Sequence, residues 1–276
     1  MLPTPARVTV ISIDGMRPDA LRRACTPAMD ALIQDGAFTF SARTVVPSVT
    51  LPCHTSMMRG VDVARHGITD NVFHPLARPV PSLFDVAHAQ GRTAGMFYNW
   101  GELRDLCAPH SLSVSVLVND IQGPRGDVAV ADAVESYQSH DLDLQFVYLG
   151  CTDQAGHDHG WMSDPYMSAI EHADTCVARV VEACRAGSAP HQFVLLSDHG
   201  GHDRTHGTES PEDVTIPWIA SGPGIVHGRI DTEVRIFDTA PTVAKLLGLP
   251  PAPEWEGTAV PEVFAASSEP GAPSEP

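Results

Sequence analysis

The segment ARVTVISID, residues 6–14, decides the fold class of this chain. Its valine, threonine and isoleucine side chains follow one another without a polar face, which predicts a strand buried on both sides of a parallel sheet. The strand ends on Asp14. Two later segments repeat this order of an apolar strand followed by acidic and histidine residues. They are LDLQFVYLGC (142–151), which runs into TDQAGHDHG, and QFVLLSDHGG (192–201).

Predicted helices separate these strands, and the longest of them covers residues 164–187. Strands that alternate with helices indicate an α/β fold with a mostly parallel central sheet and helices on both faces. No segment between the motifs is long enough for a large cap insertion, so we expect a compact molecule. We expect one domain over residues 1–264 and a disordered tail over residues 265–276, which is rich in Ala, Ser, Glu and Pro.

The composition excludes several classes of function. A net charge of -17 argues against binding to nucleic-acid polymers or anionic membranes, which favour a basic surface. The six cysteines contain no CxxC pair, and no apolar run approaches the length of a membrane span. The N-terminus runs almost directly into a strand without the pattern of a secretory signal. We therefore expect a reduced protein in the cytoplasm.

Acidic and histidine side chains follow the ends of several predicted strands. In parallel sheets ligands gather at the carboxyl ends of the strands, so these side chains are expected to converge. Carboxylate and imidazole groups are zinc ligands, and six of them suit two ions with a position left open on each. The six are Asp14, Asp153, His157, Asp198, His199 and His206.

The segment PSVTLPCHTSMMRG, residues 47–60, supplies the predicted nucleophile, Thr50. A threonine hydroxyl attacks nothing at neutral pH unless a base or a metal removes its proton, so a metal site beside Thr50 is required. We expect a turn from Pro47 to Pro52 and then a helix. Thr50 then lies near a helix N-terminus, where free N–H groups favour an anion.

Five motifs in matching order carry a resemblance to a known family. IDGMRPD (13–19), PSVTLPCH (47–54), HGITDN (66–71), DQAGHDHG (153–160) and SDHGG (197–201) resemble the nucleotide pyrophosphatase/phosphodiesterase family of the alkaline phosphatase superfamily. The resemblance implies an alkaline-phosphatase-like fold with two divalent ions, expected to be zinc. It implies that Asp14, Asp198 and His199 hold one ion beside Thr50, and that Asp153, His157 and a late histidine hold the other.

The same resemblance suggests further site residues. His206 resembles the third-ligand segment of compact superfamily members, and His202 is the competing choice. Asn71 corresponds to an amide donor to a non-bridging phosphate oxygen. Tyr148 corresponds to an aromatic side chain that stacks on a nucleobase in nucleotide-cleaving relatives; the alternative is a tyrosine buried in the strand. Leu51 departs from the family, in which an aromatic residue often follows the nucleophile, and this weakens the expectation of a nucleotide substrate. Apart from the resemblance, Trp100 at another strand end either lines the pocket or packs in the core. Leu51 and Trp100 are included with Tyr148 in the predicted substrate site.

The resemblance implies a hydrolase that cleaves phosphodiester, including nucleotide pyrophosphate, bonds of small-molecule phosphate esters through a phospho-threonine. A phosphomonoesterase is an alternative that needs more cationic groups than the motifs contain. A phosphonoacetate hydrolase relies on a lysine pair, and Lys245 is the only lysine. Sulfatases are disfavoured because Thr50 and His54 replace their nucleophile and arginine, and phosphomutases because they carry a cap. A catalytically inactive metal-binding relative is the alternative of another class.

Overall fold

The computed structural model of the protein describes residues 7–187 and 189–265. The strands are β1 (Arg7–Ile13), β2 (Gly36–Arg43), β3 (Ala94–Tyr98), β4 (Val114–Leu117), β5 (Leu144–Leu149), β6 (His191–Leu196), β7 (Thr215–Ser221) and β8 (Gly228–Arg229). The helices are α1 (Pro18–Leu21), α2 (Pro27–Gln34), α3 (Thr50–Arg59), α4 (Val63–His66), α5 (Leu83–Ala89), α6 (Pro124–Ser136), α7 (Cys151–His159), α8 (Asp164–Arg185), α9 (Pro211–Val214) and α10 (Thr239–Leu246).

The strands form one sheet in the order β4-β3-β5-β1-β6-β7-β2-β8. Among the strands of the described residues, only β7 runs against its neighbours, β6 and β2, and all other neighbouring strands are parallel. This confirms the predicted mostly parallel sheet. The central strand β1 pairs with β5 on one side and β6 on the other, so the three strands that precede the acidic motifs are adjacent.

The sheet separates two apolar cores, which explains why β1 has no polar face. Val8 and Val10 point into one core, together with side chains of α3, α5 and α10. Ile11 and Ile13 point into the other, with side chains of α2, α6 and α8. Helices therefore cover both faces, as predicted, and every residue of β5 and β6 is buried.

Some local features differ from the sequence predictions or go beyond them. The spacing of Asp153 and His157 allows either a turn or a first helical turn, and the structure shows a helix, α7, which continues to His159. Helix α3 begins at Thr50 itself, earlier than expected. Strand β4 has only four residues, which are too few to give a clear pattern in the sequence.

The predicted tail, residues 265–276, lies outside the described residues except for Ala265. The assignment of residues 1–264 to one domain stays a prediction. Among the helices that the structure describes, none is both long enough and apolar enough to cross a membrane.

Candidate metal centre and nucleophile

Asp14, Asp153 and Asp198 lie together at one edge of the sheet. Asp14 directly follows β1, and Asp198 comes two residues after β6. Asp153 is the third residue of α7, which begins two residues after β5. Because β5, β1 and β6 are adjacent and parallel, their carboxyl ends meet, and the sequence places an acidic side chain at each.

The first ligand group consists of Asp14, Asp198 and His199, whose ligand atoms lie within 4.8 Å of one another. His199 Nε2 is 3.3 Å from Asp14 Oδ1 and 3.3 Å from Asp198 Oδ2, and the three side chains are at most 1% exposed. Thr50 Oγ1 lies 3.2 Å from the same Nε2 atom. The predicted nucleophile therefore lies directly beside this group.

The second ligand group consists of Asp153, His157 and His206, which also lie within 4.8 Å of one another. His157 Nε2 is 3.4 Å from Asp153 Oδ2, and His206 Nε2 is 3.6 Å from Asp153 Oδ1. The ring of His206 stacks on that of His199 with centroids 3.8 Å apart, so the two groups are in contact. The second group is more accessible: the side chain of His157 is 38% exposed, against 12% for Asp153 and 9% for His206.

The hydrogen bonds of the three histidines fix which ring nitrogen carries the proton. Each Nδ1 faces a backbone carbonyl, which can only accept, so Nδ1 donates and Nε2 holds a lone pair. The N···O distances are 3.0 Å for His157 to Arg204, 2.8 Å for His206 to Ser48 and 2.8 Å for His199 to Gly200. The Nε2 atoms of His157 and His206 are 3.2 Å apart, and two lone pairs at that distance repel unless a cation lies between them.

Three buried carboxylate oxygens in the two groups also lack a hydrogen-bond partner among the described residues. They are Asp14 Oδ1, Asp153 Oδ1 and Asp198 Oδ2. A buried oxygen without a partner costs free energy, so such atoms are rare in native proteins unless they bind a ligand or an ion. Together with the histidine lone pairs, they show that the residues present fit two divalent cations, each with three protein ligands.

The pKa values of the ligand side chains also indicate that the two groups fit divalent cations. Burial raises the pKa of Asp14, Asp153 and Asp198, and charge repulsion raises it further, from Asp198 on Asp14, from Asp14 on Asp153 and from Asp153 on Asp198. A hydrogen bond with Asp14 offsets part of the increase for Asp198, whose pKa is raised to about 7. Burial, with the adjacent His199, lowers the pKa of His206 to about 2. A divalent cation favours a charged carboxylate and a neutral imidazole. Two such cations would therefore lower the raised pKa values of the carboxyl groups and are compatible with the low pKa of His206.

Thr50 is the first residue of α3 and is 4% exposed. Behind it, the fully buried His54 donates from Nδ1 to the carbonyl oxygen of Thr50 at 2.8 Å. The Nε2 atom of His54 accepts from the Ser12 hydroxyl at 2.9 Å, and Nδ1 is 3.5 Å from Asp198 Oδ2. The sequence analysis did not identify His54 as a residue that supports the nucleophile. It follows Thr50 by four residues, a spacing that places both side chains on one helix face and could have indicated the contact.

The side chain of Asn71, from the loop after α4, contacts the first turn of α3. Its Oδ1 atom accepts from the backbone N–H of Leu51 at 3.0 Å. Only the oxygen of the amide can accept, so this contact fixes the amide orientation and leaves Nδ2 as a donor. The side chain is exposed, so Nδ2 is accessible to an anion at the N-terminus of α3.

The predicted contact with substrate is wrong for two of the substrate-binding residues, because the structure buries both. Tyr148 is 0% exposed, and its hydroxyl donates to Asp14 Oδ2, so its ring cannot stack on a ligand. Leu51 is also 0% exposed and packs in the core, because the first turn of α3 directs its side chain inward. Trp100 is half-buried against the same core, and its contact with substrate stays a prediction.

The other histidines named in the motifs lie outside both ligand groups. His202 pairs with Asp213, with Nδ1 2.7 Å from Oδ1, which leaves His206 as the late histidine of the second group. His66 is buried and contacts the Ser56 hydroxyl at 2.9 Å, and His159 is exposed.

Comparison with known proteins identifies relatives of this chain. The family model described as type I phosphodiesterase / nucleotide pyrophosphatase matches residues 8–213. Ectonucleotide pyrophosphatase/phosphodiesterase family member 7 of Homo sapiens is 22% identical over 220 residues, which are 70% of this chain and 47% of the relative. A 2,3-bisphosphoglycerate-independent phosphoglycerate mutase of Pseudomonas putida is 26% identical over 243 residues, which are 86% of this chain and 45% of the relative. The chain thus spans about half the length of these relatives.

Solved structures share the fold. The alkaline phosphatase PafA superposes with a TM-score of 0.82 at 13% identity, over 96% of this chain and 100% of that one. Murine ectonucleotide pyrophosphatase/phosphodiesterase 5, in an inactive form with AMP, gives a TM-score of 0.75 at 15% identity, over 90% and 96% of the two chains. A 2-O GAG sulfatase gives 0.76 at 16% identity, over 93% and 73%. These similarities confirm the alkaline-phosphatase-like fold.

Proposed function

Because the chain belongs to the type I phosphodiesterase / nucleotide pyrophosphatase family, we propose that it is a two-zinc hydrolase of phosphodiester bonds, including nucleotide pyrophosphates. The observation that carries the proposal is the position of Thr50 Oγ1, 3.2 Å from His199 Nε2 at the start of α3. A hydroxyl at a helix N-terminus, beside a buried ligand group and a more accessible one, is placed to attack an anionic ester.

The two ligand groups hold the ions in this proposal: Asp14, Asp198 and His199 the first, and Asp153, His157 and His206 the second. When bound, zinc supplies positive charge that lowers the pKa of a coordinated hydroxyl and polarises phosphoryl oxygens. Three ligands made of carboxylate and imidazole groups are a set found in catalytic zinc sites, which supports zinc in this proposal.

The protein's own groups perform the bond changes. Thr50 Oγ1 releases its proton to solvent and attacks phosphorus in line, the bond to the leaving oxygen breaks, the leaving oxygen takes a proton from solvent, and a phospho-threonine forms. Water then attacks the same phosphorus and Thr50 Oγ1 departs, which restores the hydroxyl. His54 holds the Thr50 carbonyl, and Asn71 Nδ2 donates to a non-bridging oxygen as negative charge develops.

The arginine of the first motif supports a preference for diesters over monoesters. The Arg17 guanidinium donates to Asp19 at 2.9 and 2.8 Å and to the Gly201 carbonyl at 3.0 Å, so it holds the loops together. A monoester dianion needs additional cations, and Arg17 is not free to supply one. Lys245 lies over the Phe264 ring, 3.9 Å from its centroid, which also disfavours phosphonoacetate.

Hydrolysis assays on the zinc-loaded protein test the proposal. We expect bis-p-nitrophenyl phosphate to be cleaved with a higher kcat/KM than p-nitrophenyl phosphate or p-nitrophenyl sulfate, with two zinc ions per chain by elemental analysis. A preference for the monoester would support a phosphomonoesterase instead. Two bound ions without hydrolysis of any ester would indicate an inactive metal-binding relative. Assays with phosphonoacetate and phosphoglycerate address the two remaining alternatives.

Replacement of Asn71 tests its role as a donor. We expect Asn71→Ala to lower kcat/KM by about 10- to 100-fold, less than the roughly 100- to 1,000-fold cost of losing a buried donor, because Asn71 is exposed to water. Steady-state kinetics on bis-p-nitrophenyl phosphate measure this. Asn71→Asp is the matched control: it keeps an oxygen for the Leu51 N–H but removes the donor, and it should be at least as impaired. Wild-type activity in Asn71→Asp would assign Asn71 a purely structural role.

The location in the cytoplasm is part of the proposal. All six cysteines are free thiols and five of them are buried, which supports a reducing compartment.

A further inference from the structure

A carboxyl group outside the two ligand groups holds the start of the helix that carries two of the ligands. Asp127, in α6, is 0% exposed. Its Oδ1 atom accepts from the backbone N–H groups of Gly150 at 3.1 Å and Cys151 at 3.4 Å, and from Asn99 Nδ2 at 2.7 Å. One buried oxygen therefore receives three donors from the ends of β3 and β5.

The two backbone donors lie at the N-terminus of α7. Gly150 is the residue that caps this helix and Cys151 is its first residue. The first N–H groups of a helix have no partner within the helix, and a side-chain oxygen at the capping position usually accepts from them. Gly150 has no side chain to do so, and Asp127 supplies the oxygen from a different helix.

The packing around Gly150 explains why the acceptor at the start of α7 comes from α6 instead of from residue 150 itself. A Cβ atom at position 150 would lie 2.9 Å from Ile121 Cγ1 and 3.0 Å from Asn99 Oδ1, so a side chain does not fit there. A neighbouring element must therefore supply the acceptor. Asn99, which directly follows β3, in turn fixes the Asp127 carboxyl group, and the start of α7 is tied to both β3 and α6.

We propose that Asp127 is a positioning residue for the second ion: by holding the start of α7, it sets where Asp153 and His157 meet His206. The inference rests on the two-ion site proposed above. Asp153 lies two residues beyond Cys151, so a small shift of the first turn moves its carboxylate directly. The first ligand group takes none of its residues from α7 and is expected to be insensitive to this shift.

The chain offers a matched control for a purely structural cap. Asp174 in α8 is 3% exposed and accepts from the backbone N–H groups of Ala28 at 3.1 Å and Met29 at 2.8 Å, at the start of α2. The chemistry is the same, a buried carboxylate capping a neighbouring helix. Helix α2 carries no candidate ligand, so loss of this cap should affect stability alone.

The test is a zinc titration of the stripped, full-length protein in competition with a chromogenic chelator, together with melting temperatures. His157→Ala and His199→Ala identify which binding step belongs to which group. We expect Asp127→Ala to raise the Kd of the second group by about 10- to 100-fold and that of the first by less than about 3-fold. Asp127→Asn keeps one acceptor oxygen and should give an intermediate loss. Asp174→Ala should lower the melting temperature and leave both dissociation constants unchanged.

If Asp127→Ala does not fold, the comparison of Asp127→Asn with Asp174→Asn decides. Wild-type zinc affinities in the Asp127 variants overturn the inference and leave the proposed function intact. Equal weakening of the second group by the Asp174 variant also overturns it, since the effect then reflects stability. A wild-type protein that binds fewer than two zinc ions overturns the two-ion site as well.

Discussion

Replacement of Thr50 by alanine is expected to lower kcat by about 10⁴-fold or more, while two zinc ions remain bound. The size follows from loss of the attacking atom, which costs enzymes with a covalent intermediate several orders of magnitude. The ions remain because the six carboxylate and imidazole ligands are untouched. Turnover of bis-p-nitrophenyl phosphate, with elemental analysis of the same sample, measures both quantities.

Two further variants make this result specific. Thr50→Ser keeps the hydroxyl and should retain much of the activity. Thr55→Ala removes the same atoms from the next turn of α3, where the hydroxyl donates to the Leu51 carbonyl at 2.7 Å, and it should change kcat by only a few fold. If Thr50→Ala kept substantial activity, or if Thr55→Ala were equally impaired, Thr50 would not be the nucleophile.

Removal of the ions is expected to destabilise the protein, and more at pH 8 than at pH 6. In the stripped protein the pKa of Asp198 is raised from 3.8 to about 7, and Asp14 and Asp153 shift in the same direction. A raised folded-state pKa favours folding below the unfolded value, and this stability is lost as pH rises through about 7. Bound zinc compensates the charged carboxylates, so the loaded protein avoids this loss.

The low pKa of His206 does not alter the comparison, because its imidazole is neutral in both forms at these pH values. Zinc at 100 times its Kd adds about 2.7 kcal/mol per site, and 1 kcal/mol corresponds to about 2–4 °C for a chain of this size. Melting temperatures with zinc and with a chelator should therefore differ by about 5 °C or more at pH 8, and by less at pH 6.

Two histidines of one loop serve as the control for that measurement. His206→Ala should reduce the zinc-dependent increase in melting temperature, whereas His202→Ala should keep it, because His202 contacts Asp213 instead of the ligand groups. Equal effects of the two substitutions, or a zinc effect that does not change with pH, would contradict the assigned ligands.

The sequence predicted the candidate site best where its residues directly follow strands of the parallel sheet. Asp14, Asp153 and Asp198 could be placed together because each follows an apolar strand, and parallel strands bring their ends to one edge. His206 was chosen over His202 from the pattern around it, and the structure brings His206 into the second group. That these residues bind zinc stays a prediction.

Side-chain direction was the part that sequence could not supply. Tyr148 and Leu51 were expected to face substrate, but β5 is buried on both faces and the first turn of α3 directs Leu51 into the core. A buried strand tyrosine and a pocket tyrosine look alike in sequence. Asp127 was missed for a related reason: its partners Gly150 and Cys151 are brought near only by packing of α6 against the end of β5. A cap from the same segment would have been visible.

The unequal accessibility of the two ligand groups has a kinetic consequence. Solvent reaches the second group through His157, whose side chain is 38% exposed, whereas the three side chains of the first group are at most 1% exposed. Exchange with a chelator should therefore proceed in order: the outer ion leaves first, and a half-loaded form that keeps the inner ion accumulates. Such a form is expected to lack activity and to keep the stability that the inner ion contributes, so brief chelation should abolish hydrolysis reversibly without unfolding the protein.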